Sequence, residues 1–165
     1  MITGESLKKA CAMVGDYSDE QMAKEFDRFF REQPAICDFV AELTQESGQK
    51  IQELSLFLSY MVFKTMESDE SANINSVTPE TVEAAYRESE FWIERISQAE
   101  GTDLQSAIAG SLQKDTEPYL LQYVIAELNE PTEEGIELDD EEKGEVFFVL
   151  KTVITSLKGR ISEKE

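Results

Sequence analysis

Acidic side chains are the groups in this sequence whose number and spacing could do chemistry. Of 165 residues, 35 are Asp or Glu, 15 are Lys or Arg, and none is His. Without an imidazole there is no Ser–His or Cys–His nucleophile pair. The Glu-x-x-His set of di-iron bundles and the ordinary zinc sites lose a ligand as well. Cys11 and Cys37 form no CxxC pair. The eight glycines are scattered and build no loop that could cradle a phosphate. What remains is carboxylate chemistry around a hard cation such as Mg²⁺ or Ca²⁺.

Three acidic patterns bear on that chemistry. Glu80-x-x-Glu83 followed by Glu100-x-x-Asp103 resembles the ExxE…ExxD signature of all-α nucleoside-triphosphate pyrophosphohydrolases. The resemblance implies a Mg²⁺ enzyme whose two acidic pairs face each other across packed helices. The residues between the pairs read here as one continuous helix, which at 1.5 Å per residue separates them by about 30 Å. Gly101 and Thr102 also place the second pair in a helix break, so this chain departs from that arrangement. In the second pattern Asp69, Ser71, Asn73 and Glu80 hold the first, third, fifth and twelfth places of an EF-hand loop. The glycine that such a loop needs is Ile74, a β-branched residue poorly suited to positive φ. Third, the stretch from Glu127 to Glu145 holds ten acidic residues and one basic residue, Lys143. Its Asp139-x-Glu141-x-Lys143-Gly144 segment imitates a calcium loop, but a lysine takes a ligand place and Leu150 stands where Glu belongs. No metal, cofactor or catalytic residue is assigned from these patterns.

A formal net charge of −20 repels phosphate backbones and anionic lipid, so neither nucleic acid nor a membrane surface is the expected partner. A basic protein is. The longest apolar stretch, LSLFLSYMVF, is half of the ~20 residues a membrane helix needs. MITGESLKKACAMVG contains no apolar signal segment, and unpaired thiols suit a reducing compartment, so the expected location is the cytoplasm. Two features are candidates for binding a partner. One is Phe91 with Trp92, which fall off the apolar stripe of their helix. The other is the acidic strip with Glu133, Glu134, Glu137, Asp139, Asp140 and Glu141.

These residues must be positioned by helices, because helix signals dominate and no stretch reads convincingly as a strand. Thr3 and Glu5 open a short helix carrying Leu7, Ala10, Cys11 and Val14, closed by Gly15. Ser18 with Gln21 forms a capping box for a second, with Met22, Phe26, Phe29 and Phe30 as its core stripe. Pro34 suits the first turn of a third, which turns Ile36, Phe39, Val40 and Leu43 inward. A fourth, from Gln49 to Glu67, is apolar nearly all round and belongs at a centre. Residues 68–77 read as a linker. Thr78-Pro79-Glu80 opens a fifth helix through Val82, Ala85, Tyr86, Ile93 and Ile96. Thr102 with Gln105 caps a sixth, Pro118 opens a seventh, and Asp139 with Glu142 caps an eighth.

The chain also repeats itself. Pro34 and Pro118, Phe39 and Tyr123, and Val40 and Val124 lie 84 positions apart, and the caps at Ser18 and Thr102 share that offset. After Leu128 the offset grows to 91, where Leu56-Phe57-Leu58 meets Phe147-Phe148-Val149. The expected fold is an all-α bundle of about eight helices built from two degenerate four-helix repeats. Residues 1–67 form the first copy and 78–165 the second, packed as one domain. The expected function is a non-enzymatic, acidic interaction or regulatory module, with a homodimer as one form of it. The alternatives are a carboxylate/Mg²⁺ enzyme of the pyrophosphohydrolase type and an acidic mimic of nucleic acid. Calorimetric titration with Ca²⁺ and Mg²⁺ should give only weak, salt-sensitive heats. A saturable site of micromolar affinity, lost in Glu80→Gln, would reinstate the metal patterns.

Overall fold

The computed structural model describes residues 3–68, 72–97, 118–129, 138–158 and 161–163. Among these residues lie seven helices: α1 (Gly4–Gly15), α2 (Asp19–Glu32), α3 (Pro34–Leu43), α4 (Gln49–Ser68), α5 (Pro79–Ser97), α6 (Pro118–Asn129) and α7 (Asp140–Lys158). The helix expected from Thr102, with Leu104, Ile108 and Leu112, lies outside the described residues. The fold is all-α.

The helix starts are set locally. Thr3 Oγ1 accepts from the Ser6 N–H and begins α1. At α2, Ser18 Oγ accepts from Gln21 N while Gln21 Oε1 accepts from Ser18 N, so two orphan donors are satisfied reciprocally. Asp139 and Glu142 repeat that exchange at α7, at 2.8 and 3.0 Å. Pro34 and Pro79 occupy first helical positions, where a missing N–H costs nothing. Gly48, at φ 96°, makes the left-handed turn that leads into α4.

Ten of the 20 positions in α4 and ten of the 19 in α7 are buried, so neither helix has a face to spare for water. They pack against each other, and the remaining helices are arranged around them in matched pairs. α1 packs on α4 and α5 on α7; α3 packs on α4 and α6 on α7; α3 also meets α5, and α1 meets α6. Several hydroxyls are buried on the central helices. Those of Ser59, Thr65, Thr152 and Ser156 donate to carbonyls four residues back on their own helices, so burial leaves them satisfied.

The structure corrects two expectations. Phe30 is 41% exposed, because it falls at the rim of the α2 stripe; Phe29 takes the deep position, and Met22 and Phe26 are half-buried. The stretch 68–77 is more than a linker. Ser68 ends α4, and Ala72–Ile74 forms β1, which pairs antiparallel with β2 (Ile161–Glu163) in the register Asn73↔Ser162. Three residues are too few to show an alternating pattern. β1 follows α4 and β2 follows α7, so the pair ties together the segments that leave the two central helices.

Gln33 is a further tie between distant segments. Buried between α2 and α3, its amide donates to the Asn75 carbonyl at 3.1 Å and accepts from the Val77 N–H at 3.0 Å. It clamps the segment leading from β1 into α5 as a strand neighbour would. Gln33→Leu should lower stability by about 1–3 kcal/mol, because the buried Val77 N–H loses its acceptor. Denaturant unfolding would measure this, and an unchanged midpoint would show that the clamp is dispensable.

Candidate functional site

Among the described residues, two places bring chemically capable side chains together. The first is a charge cluster between α2 and α4. Glu25 and Arg28 share a face of α2, and Lys64 and Glu67 share one of α4, each pair three residues apart. Arg28 forms a fork to Glu67 at 2.6 and 2.8 Å, and binds Glu25 at 2.7 Å and Glu32 at 2.9 Å. Glu25 also accepts from Lys64 Nζ at 3.0 Å, Tyr60 Oη at 2.9 Å and Tyr17 Oη at 3.3 Å. The Arg28 guanidinium lies 5.3 Å from the centre of the Phe63 ring.

The hydrogen bond from Arg28 pulls the Glu25 carboxyl from 4.5 to about 2; burial opposes this, and Lys64 and Tyr60 add to it. Burial and the adjacent Glu25 push the Tyr60 phenol up. Glu25 is therefore a fixed anion whose oxygens are occupied, poorly matched to proton transfer near neutral pH. The cluster is a strap that holds α2 on α4.

The second place is a groove of about 400 Å³ between α3 and α5, open to solvent. α3 supplies Ala35, Phe39 and Leu43 at successive turns, with Asp38 and Glu42 beside them. α5 supplies Pro79, Val82 and Tyr86, with Glu83 on the rim. Tyr86 forms the floor. Its ring meets Phe39 edge-on at 5.9 Å and Phe148 of α7 at 5.3 Å with an 87° interplanar angle. A hydrogen bond to Glu90, reinforced by burial, raises the Tyr86 phenol pKa. Glu83 pairs with Arg87 at 2.6 Å. Among the described residues no cation pairs with Asp38 or Glu42.

The residues singled out from the sequence do not assemble. Phe91 is 61% exposed, so it is not an internal side chain of the bundle. Trp92 is half-buried, its ring tilted against Phe147 at 5.6 Å with Lys151 Nζ 5.5 Å from its centre. Neither lines the groove. Of the acidic strip, Glu133, Glu134 and Glu137 lie outside the described residues. Asp139 is engaged as the cap of α7, and Asp140 and Glu141 are exposed in its first turn, where the helix dipole favours them. Ile74 sits in β1, not in the sharp turn of a calcium loop. Glu80 and Glu83 are exposed on α5, while Glu100 and Asp103 lie outside the described residues.

Burial, with Asp38 adding to it, pushes the Cys37 thiol up to about 12. Cys11 is raised mainly by burial, partly offset by a hydrogen bond with Tyr123. No described helix is long and apolar enough to cross a membrane. No group of three or more metal-ligating side chains occurs among the described residues. No family model matches the chain, and no curated protein or solved structure shows significant similarity to it.

Sequence reading missed both places for one reason. Each joins side chains from helices distant in the chain, and Tyr86 and Phe39 look locally like ordinary core. The one local trace of the strap is the three-residue spacing in Glu25/Arg28 and Lys64/Glu67. Because the Glu25 pKa is lowered on folding, its stabilisation is complete above about pH 4.5 and is lost as pH falls from there through about 2. Glu25→Gln should cost about 1–3 kcal/mol at neutral pH. The difference from the parent chain should shrink in thermal melts taken toward pH 2. A difference independent of pH would remove the charge on Glu25 from the explanation.

Proposed function

We propose that the protein is a non-enzymatic interaction module whose α3–α5 groove receives part of a partner protein. The observation that carries this reading is the groove's construction. Its lining is aromatic, with Tyr86 in edge-on contact with both Phe39 and Phe148, and carboxylates stand beside the apolar residues. Preformed apolar clefts with fixed aromatics are where partner side chains gain most on burial. The same acidic surface that disfavours phosphate and lipid favours encounter with a basic protein. It also disfavours a second copy, which would bring like carboxylates together. Catalysis has less support, since the charge cluster between α2 and α4 is engaged in holding helices together.

A photo-crosslinking residue placed at Glu42 on the groove rim should capture a discrete protein in native extract. The same residue at Glu20, an exposed position of α2, should not. Filling the cleft with Ala35→Tyr should abolish the Glu42 product. Equal capture from both positions, or capture unaffected by the filled cleft, would refute the groove as the interaction site.

A further inference from the structure

We infer that the occupant of the groove is a basic amphipathic helix. This inference rests on the preceding proposal and narrows it to one class of partner. Both walls are helices, and neither offers a free main-chain edge that an extended peptide could pair with. A third helix laid between them can seat its side chains between Ala35, Phe39 and Leu43 on one wall and Val82 and Tyr86 on the other. α3 has ten residues, about 15 Å of helix, so the occupant contacts it over some three turns. Apolar anchors on that occupant recur at every third or fourth residue.

The charge of the occupant follows from the rim. Asp38 and Glu42 stand one turn apart along the edge of α3, and no described cation neutralises them. Lys or Arg flanking the apolar anchors would meet both, and an acidic or neutral helix would leave them uncompensated. A second copy of this chain, at −20, carries the wrong sign.

The groove is open because of a small residue. The position 84 residues beyond Ala35 is Tyr119, which packs at the start of α6 within 3.6 Å of where a Cβ at Gly4 would stand. A tyrosine is therefore accommodated at the matching position of the second half, and Ala35 leaves the equivalent space vacant in the first.

The test uses the full chain and three synthetic helical peptides that share one apolar stripe. Their flanking positions are all Lys, all Gln or all Glu, and binding is followed by fluorescence anisotropy at low and high salt. The Lys peptide should bind saturably and weaken as salt rises. The double variant Asp38→Lys/Glu42→Lys should weaken it by about tenfold or more. Ala35→Tyr should abolish its binding without shifting the thermal melt. If the Gln or Glu peptide binds as tightly and is also blocked by Ala35→Tyr, the groove stands and the basic occupant is wrong. If Lys-peptide binding survives Ala35→Tyr, the charge is acting diffusely and the groove reading itself fails. A concentration-dependent dimer in sedimentation, dissociated by Ala35→Tyr, makes a second copy the occupant and overturns the inference. Absence of saturable binding by every peptide overturns it too.

Discussion

Two helices that are apolar on nearly every side cannot rest on a surface, and α4 and α7 meet that constraint by packing on each other. Once they are paired, the other helices have their places prescribed. Each must cover a face that would otherwise meet water, so α1 and α3 clothe α4 while α5 and α6 clothe α7. Ser59, Thr65 and Ser156 are tolerated in such a centre because their hydroxyls turn back onto their own helix. The antiparallel pair β1–β2 then joins the two chain segments that leave the central helices.

The charge of the protein poses a second problem, because self-repulsion opposes compactness. The chain concentrates two of its few cations where they hold most. Arg28 and Lys64 gather Glu25, Glu32 and Glu67 into one network spanning α2 and α4, with Tyr17 and Tyr60 donating to the same carboxylate. A network of this kind fixes geometry better than isolated surface pairs, each of which contributes little on its own. Lys151 of α7 is buried as well, with its Nζ 5.5 Å from the Trp92 ring.

The groove is a by-product of the same packing. α3 and α5 approach each other, and Ala35 and Pro79 line the space left between them. Phe148 of α7 meets the Tyr86 ring edge-on, so the central pair of helices also contacts the lining of the cleft. Acidic residues that serve solubility elsewhere on the surface acquire, on this rim, a position relative to an apolar surface. That conjunction distinguishes Asp38 and Glu42 from the many other exposed carboxylates.

By itself the sequence determined the helices, because their signals act over three or four residues. The reciprocal caps at Ser18–Gln21 and Asp139–Glu142, the prolines at first positions and the stripes of α4 and α7 all fall within that range. It also determined the chemistry that histidine would have allowed, by omitting histidine. What the tertiary structure decided lies beyond that range. Phe30 and Phe29 share one stripe, and only the position of neighbouring helices puts one outside and the other in the core. Gln33 looks like a polar residue before a proline until the segment 75–77 is folded against it. Phe39 and Tyr86, 47 positions apart, read separately as core, and become the wall and floor of a groove when α3 meets α5. A helix can be read from its own residues, whereas a cleft belongs to the pair of surfaces that failed to close.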